Sequence, residues 1–531
     1  MDFKRFLSTL VENHIGEYVI CPGARNAPLA VALSRSEGLH LWQHFEERSS
    51  AFFALGRTME SELPCAVVTT SGTAVAELMP AVIEAHYQGR PLVVISADRP
   101  RKFRGSGAPQ AIEQAGLFGD YPQVSMDIES LDELDLSGWN KRGVLHINLC
   151  IEESFQEDEV QGIGFEEAEA ILTNAPDFDP HYEQLDLRGL IAFMEEVWLG
   201  FVVIVGGLRS EDQDEVYHFL KRINVPVVAD PTSGLRERLG KNRLVDADDV
   251  LKNEAPGKIL RIGDVPIGRF WRDLETLPDV EVFSVTPTGF SGLARESKVL
   301  TANVGRVFRL LGEPEVHEDI LDHLRGNGSR QSMIDERLEC YPSSEPALVR
   351  EVSRFAAMAD SVYLGNSMPI RHWARFAQTQ VEVANVKANR GANGIDGQLS
   401  TWMGATTTDE VTWGVFGDLT TLYDLISPTW VKQIQEVNPE QKRVLVVINN
   451  QGGRIFERLP RLQSLEEEAK KTIVQPHDMD LKGWAEWLGA SYRQVRFADE
   501  FDTDEDALFE VIELLPDAEE TEQLFADLSR S

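Results

Sequence analysis

The chain has 531 residues, 42% of them hydrophobic, and its 87 acidic side chains against 51 basic ones leave a formal charge of −36. That length suits about three domains with sizeable cores, and the charge argues against nucleic acid, which needs a basic surface to release counterions. No apolar run approaches the roughly 20 residues of a membrane span, Met1-Asp2-Phe3-Lys4-Arg5 is no apolar signal region, and the scattered Cys21, Cys65, Cys150 and Cys340 include no Cys-x-x-Cys pair, so a cytoplasmic protein with reduced thiols is expected.

The first segment alternates strand and helix patterns. Tyr18 to Ile20, Leu39 to Gln43, Cys65 to Thr69 and Leu92 to Ser96 read as strands, and 27–34, 50–59 and 74–86 as helices. That rhythm predicts an open, mostly parallel α/β sheet whose ligands gather at the strand carboxyl ends. Each of those ends is polar: Cys21-Pro22-Gly23-Ala24-Arg25, His44-Phe45-Glu46-Glu47-Arg48, Thr70-Ser71-Gly72-Thr73 and Ala97-Asp98-Arg99-Pro100. Taken alone, Glu47 reads as part of a solvated first helical turn. Set beside a cofactor it reads differently, because Phe45, Phe52 and Phe53 could dry the site and raise its pKa.

From about 150 to 180 the sequence is acidic and proline-spaced, as in Asn174-Ala175-Pro176-Asp177-Phe178-Asp179-Pro180, and reads as a linker. A second α/β unit follows, with strands expected at Phe201 to Val205, Val225 to Ala229, Lys258 to Ile262 and Val280 to Ser284. Its Val205-Gly206-Gly207-Leu208 is not a Gly-x-Gly-x-x-Gly fingerprint, so no flavin is expected. A polar helical stretch, Pro314 to Ser344, leads to a last unit. There, strands at Ser361 to Leu364 and Val381 to Asn385 precede Gly365-Asn366-Ser367-Met368-Pro369-Ile370-Arg371 and Asn389-Arg390-Gly391-Ala392-Asn393-Gly394-Ile395-Asp396-Gly397. The domains expected are 1–180, 181–342 and 343–531. Arg25, Arg99, Arg371 and Arg390 all follow strands, where guanidinium forks suit carboxylate ligands; any one of them could equally pair with one of the many acids.

Two further strands, Val411 to Phe416 and Val444 to Ile448, end in Gly417-Asp418 and Asn449-Asn450-Gln451-Gly452-Gly453, with a mostly helical segment from about Thr421 between them. A right-handed crossover brings both carboxyl ends to one sheet edge, where Asp418 and Asn450 can meet. A carboxylate, an amide oxygen and a glycine carbonyl, at Gly452, are hard ligands for Mg²⁺, with Mn²⁺ as a substitute, when phosphate oxygens and water complete the octahedron. Glycines 417, 452 and 453 would let the backbone approach a diphosphate. Either piece alone reads equally as ordinary turn chemistry.

Together the two pieces resemble the Gly-Asp…Asn-Asn motif of thiamine diphosphate enzymes, although the 32 positions from Asp418 to Asn450 are a few more than usual. The surplus fits the polar stretch Gln435 to Lys442. Cys-Pro-Gly-Ala-Arg-Asn-Ala-Pro-Leu from Cys21, His-Phe-Glu-Glu-Arg from His44, Thr-Ser-Gly-Thr-Ala-Val-Ala-Glu-Leu-Met-Pro from Thr70 and Ser-Ala-Asp-Arg-Pro from Ser96 look like the 2-succinyl-5-enolpyruvyl-6-hydroxy-3-cyclohexene-1-carboxylate synthases of menaquinone biosynthesis. That resemblance implies three α/β domains of the thiamine diphosphate type. It implies decarboxylation of 2-oxoglutarate and addition of the resulting succinyl carbanion to isochorismate. Glu47 would activate the cofactor by promoting its imino form, and Ile395 would be the wedge that bends it. Pro22, Thr73, Gly394, Gly417, Leu419, Gly453 and Ile455 would line the cofactor, with Asp418, Asn450 and Gly452 on the metal. Arg25, Arg99, Gln110, Arg269, Ser367, Arg371 and Arg390 would face substrates, with Ile455, Phe456 and Leu459 as pocket walls. Ala24 and Pro109 depart from the family's usual serine and asparagine, and Arg269 from its lysine. A symmetric homodimer or dimer of dimers, with active sites between subunits, is implied too. The residues alone leave open another thiamine-dependent 2-oxoacid decarboxylase or ligase, or a non-catalytic metabolite-binding protein on the same fold.

Overall fold

The computed structural model describes residues 1–152, 157–174, 185–195, 200–223, 225–311, 322–458, 462 and 464–530. Its strands form three sheets in which every pairing is parallel, interleaved with helices. The first sheet holds β1 (Glu17–Ile20), β2 (His40–Gln43), β3 (Cys65–Thr69), β4 (Leu92–Asp98), β5 (Val124–Ile128) and β6 (Leu145–Cys150), in the order β2-β1-β3-β4-β6-β5. β3 and β4 are buried at every position, as strands covered on both faces must be. The chain runs outward from β1 to β2 and returns through β3, so the sheet reverses between β1 and β3. Ligand crevices form at such a point, and here the loops at Pro22 and Gly72 leave the sheet.

β5 and β6 carry no strong sequence signal. β6 reads Leu-His-Ile-Asn-Leu-Cys, and its buried His146 and Asn148 break the apolar run. Both are paired: His146 with Ser96 and Ser125, and Asn148 with Ser96, Asp98, Gln114 and Asp127. Burial pushes the His146 imidazole down to about 4, so it stays neutral at pH 7.

The second sheet holds β7 (Phe201–Val205), β8 (Val227–Ala229), β9 (Lys258–Ile262), β10 (Glu281–Thr286) and β11 (Lys298–Thr301), in the order β11-β10-β9-β7-β8. At its reversal, Gly206 and Gly207 pack directly on the Asp264 backbone. The third sheet holds β12 (Ser361–Leu364), β13 (Val386–Lys387), β14 (Val411–Gly417), β15 (Lys442–Ile448), β16 (Ser491–Val495) and β17 (Phe509–Leu514), in the order β13-β12-β14-β15-β17-β16. It reverses between β12 and β14, so the loops at Ser367 and Asp418 leave it at neighbouring places. In β15, Val444 to Ile448 are all buried, each contributing about 1.5–3 kcal/mol of apolar burial.

Three expectations shift. The strand expected at Val381 to Asn385 is the two-residue β13 instead, because Asn385 takes a φ of 42°, outside the extended region. The stretch read as linker contains a helix, Phe165–Asn174, while 175–180 lie outside the described residues. Of the polar stretch before the last unit, 314–321 also lie outside them, and Asn327–Cys340 is a helix.

By compactness the chain forms two units, one of Met1–His181, Gly391–Thr408 and Tyr423–Pro439, the other of Tyr182–Arg390, Asp409–Leu422 and Glu440–Ser531. In the first, the helix Glu47–Ser61 packs on the helix Gln398–Ala405 with glycines at the crossing. A Cβ on Gly56 would lie 2.2 Å from the Thr401 carbonyl oxygen, and one on Gly404 2.1 Å from that of Phe53. Ser49 and Ser400 meet at 2.9 Å, and Arg57 donates to the Gly404 carbonyl. This backbone-to-backbone seam fixes the helix that begins at Glu47. Among the described residues no helix is long and apolar enough to cross a membrane.

Candidate cofactor and substrate site

In the first unit Glu47 is the opening residue of its helix, capped by Glu46, whose carboxylate accepts from the Ser49 N–H at 2.8 Å. Glu47 is half-buried. Burial pushes its carboxyl above the ordinary glutamate range, and the charges of Glu46 and Glu77 push the same way, while its own backbone N–H opposes them. Phe52 and Phe53 are buried as expected, but Phe45 is 65% exposed, its ring stacked on the outer side of His44. Within one chain Phe45 is thus open to solvent. Cys21, beside Glu47, has its thiol pushed up to about 12, first by burial. Pro22 and Gly23 line an open cavity of about 700 Å³ with Ile20, His44, Phe45 and Thr429.

Ile395 is half-buried in the loop Gly391–Gly397, whose backbone is anchored by a residue the sequence reading passed over. Glu84, 3% exposed, accepts from the Gly391 and Ala392 N–H groups at 2.7 and 2.8 Å. Its signal was an acid on a helix face whose other buried residues, Ala81, Val82 and Ala85, are apolar. Gly394 is exposed, and its carbonyl accepts from the Gln398 side chain.

Thr73, Arg99 and Gln110 are gathered around Gly72. Thr73 and Gln110 are exposed, and the Gln110 Cα lies 3.2 Å from where a Gly72 Cβ would sit. Arg99 donates Nε–H to the Pro109 carbonyl at 3.1 Å and stacks over Phe103. Fully buried Gln114, also missed, accepts from the Gly72 N–H and donates to Ala97 and Asn148. Ala24 is exposed, whereas Arg25 is buried and donates to the Ile151 carbonyl at 3.1 Å. A cluster of Asp98, Asp127 and Cys150 in this unit already holds the Arg104 guanidinium where a cation would go.

In the second unit, the register of Gly417 with Ile448 sets Asp418 and Asn450 beside each other. Asp418 is 3% exposed. Its Oδ1 accepts from the Leu419 N–H at 2.6 Å, and its Oδ2 accepts from the Gly452 N–H at 2.8 Å and lies 3.1 Å from His477 Nε2. Burial raises its pKa; the Gly452 and Leu419 N–H groups and His477 oppose that. Asn450 donates Nδ2–H to Glu345 at 3.2 Å, while its Oδ1 is buried with no hydrogen-bond partner among the described residues. An orphaned amide oxygen costs about 1–3 kcal/mol, a cost that a cation removes. Gly452 has a φ of 133°, and a Cβ there would lie 2.7 Å from the Val474 carbonyl oxygen, so only glycine fits. Gly453 donates to that same carbonyl. A Cβ on Gly417 would meet nothing within 4 Å, which leaves open space beside Asp418. Carboxylate, orphaned amide oxygen and open space fit Mg²⁺ and a diphosphate. Leu419 and Ile455 are half-buried, Phe456 is 38% exposed, and Leu459 lies outside the described residues.

Ser367, with a φ of 70°, precedes the helix Met368–Phe376, and its carbonyl accepts from Arg371 Nη1. Burial holds the Arg371 guanidinium down at about 10, helped by the charges of Arg390 and Arg272 and opposed by Asp248. Arg390 donates to Asn366 Oδ1 at 2.8 Å. Burial pushes nearby Asp230 up to about 7 against the pull of Arg390. The Arg269 side chain is 65% exposed and turns to Asp273 at 3.8 Å, the ordinary behaviour of a helix arginine, although its N–H is held by Asp248. Ser367, Arg371 and Arg390 thus come together, with two guanidiniums close enough to repel.

Residues 3–117 match the family model described as the N-terminal TPP binding domain of thiamine pyrophosphate enzymes. Along nearly its whole length the chain is similar to proteins named 2-succinyl-5-enolpyruvyl-6-hydroxy-3-cyclohexene-1-carboxylate synthase. The one from Akkermansia muciniphila is 44% identical, covering 98% of this chain and 97% of the relative. The one from Bdellovibrio bacteriovorus is 34% identical over the same shares. That from Geobacillus thermodenitrificans is 29% identical over 92% of this chain and 87% of its own. At that identity and coverage, the chain belongs to the 2-succinyl-5-enolpyruvyl-6-hydroxy-3-cyclohexene-1-carboxylate synthase family of thiamine diphosphate enzymes.

Proposed function

We propose that the protein carries out the reaction its relatives are named for: thiamine diphosphate- and Mg²⁺-dependent decarboxylation of 2-oxoglutarate and transfer of the four-carbon remainder to isochorismate, in menaquinone biosynthesis. The observation that carries this reading is the pairing of the Asp418–Asn450 cradle with the neighbouring guanidiniums of Arg371 and Arg390 in one unit. A simple decarboxylase of a monoanionic acid has less need of that second cationic pair.

When bound, thiamine diphosphate supplies the electron sink for decarboxylation. Asp418, Asn450 and the Gly452 carbonyl would hold Mg²⁺, and Gly417, Leu419 and Gly453 would border the diphosphate. Glu47, whose pKa burial raises, would share a proton with the cofactor's ring nitrogen. Pro22, Thr73, Gly394 and Ile395 shape the cofactor's other end. Arg371, Arg390 and Ser367 take substrate carboxylates, with Arg25, Arg99 and Gln110 facing the second substrate. Arg269 joins them only by turning from Asp273. Ile455 and Phe456 exclude water. The working form is a cytoplasmic homodimer or dimer of dimers, in which Glu47 of one subunit serves the diphosphate held by another.

The test is carbon dioxide release with thiamine diphosphate and Mg²⁺. Release from 2-oxoglutarate, coupled to loss of isochorismate, is the expected result. Release from pyruvate instead would keep the cofactor chemistry and overturn the assignment of the arginines.

A further inference from the structure

The Asn450 side chain has two ends of nearly equal shape and opposite chemistry: Oδ1 binds a cation, while Nδ2 repels one. Neither β15 nor the following loop decides which end faces Asp418. The choice comes from 105 positions away, where Glu345 opens the helix Glu345–Phe355. A carboxylate oxygen accepts hydrogen bonds; Glu345 Oε2 accepts from Asn450 Nδ2 at 3.2 Å, and Oδ1 is left without a hydrogen-bond partner among the described residues. Glu345 is itself held fast. It is 3% exposed, its N–H donates to Thr521 Oγ1 at 3.0 Å, and its other carboxylate oxygen lies 3.0 Å from Nε2 of His372, which is 1% exposed.

We infer that Glu345 is a positioning residue for the metal: it sets the Asn450 amide so that oxygen, and not nitrogen, faces the cation. This rests on the proposed metal role of Asp418 and Asn450. It adds a partner outside the Gly-Asp…Asn-Asn motif whose loss acts on metal affinity through another side chain.

The experiment is calorimetric titration of Mg²⁺ into the full chain with thiamine diphosphate present, with the melting temperature recorded for each variant. Glu345→Gln keeps the shape but can donate as well as accept, so the amide is no longer forced one way. Mg²⁺ affinity should fall about 10-fold or more, as for other residues that orient metal ligands, and saturating Mg²⁺ should restore turnover. Asn450→Asp offers oxygen at both ends but sets a second carboxylate against Glu345. Adding Glu345→Gln to that variant should therefore tighten Mg²⁺ binding, the reverse of its effect in the parent. A role through negative charge alone, or through fold stability alone, predicts weaker binding in both backgrounds, and that result would overturn the inference. So would wild-type affinity in Glu345→Gln. Asp418→Ala separates the two readings. If it leaves Mg²⁺ affinity intact, the metal site itself is wrong; if it abolishes binding while Glu345→Gln has no effect, only the role of Glu345 falls.

Discussion

Two carboxylates at strand ends, Glu47 after β2 and Asp418 after β14, both have their pKa values raised by burial, yet their surroundings differ in sign. Around Asp418 the neighbours are donors: two backbone N–H groups and His477, all favouring the charged form. Around Glu47 the neighbours are acids, Glu46 and Glu77, which favour the protonated form along with burial. Under the proposed function, the same side-chain chemistry serves two tasks, Asp418 meeting a cation and Glu47 handling a proton. Burial alone distinguishes neither, because both feel it; the sign of the neighbouring side chains' contribution does.

The largest effect that should follow is at the anionic member. Asp418→Ala removes a hard ligand and leaves the Gly452 N–H without its acceptor, so Mg²⁺-dependent retention of thiamine diphosphate should be lost. Equilibrium dialysis checks this, and normal retention would break the comparison at that end. Next is the proton-holding member. Glu47→Gln should lower kcat by about 10²–10⁴-fold, the usual worth of a proton-transfer group, while cofactor binding stays measurable. Hydrogen–deuterium exchange at the thiazolium C2, followed by NMR, reads the affected step directly, and unchanged exchange would remove Glu47 from it.

The smallest effect sharpens the contrast through stability rather than turnover. A carboxyl whose folded-state pKa lies above its unfolded value stabilises the fold at low pH and loses that contribution as pH rises through the folded value. At neutral pH the wild-type Glu47 is therefore a net cost, discounted because the group is only half-buried and solvent screens it. Glu47→Gln should melt slightly higher than wild type at pH 7, by about 1–3 °C on the scale of domains this size. The gain should vanish below the ordinary glutamate range. A variant that melts lower at pH 7 would show Glu47 to be a structural ion.

Where the chain's signals are local, the site was legible. Asp418 and Asn450 could be paired on paper because a parallel crossover of buried strands has one practical hand, and the register of β14 with β15 places them together. The loops at Pro22, Gly72 and Ser367 were visible for a similar reason, as polar turns closing apolar strands. What the sequence did not show was where particular side chains turn. Phe45 lies a few residues before the buried Phe52 and Phe53, yet it precedes the helix and faces out. Arg269, expected to face substrate, lies on Asp273 one helical turn away, which its position in sequence did not show. β6 was missed because His146 and Asn148 read as polar breaks until partners on other strands satisfied them.

By itself the sequence determined the α/β alternation, the strand ends that carry chemistry and the acid–amide pair suited to a metal, because hydrophobic period and glycine placement act over a few residues. Only the tertiary structure decided how those groups are held. Glu84 anchors the Gly391 loop across 307 positions, and Glu345 orients Asn450 across 105. His477 reaches Asp418 across 59. A buried acid gives no sign in sequence of which donor it will meet, since that depends on which sheet edges and helix ends the packed chain brings within about 3 Å of one another.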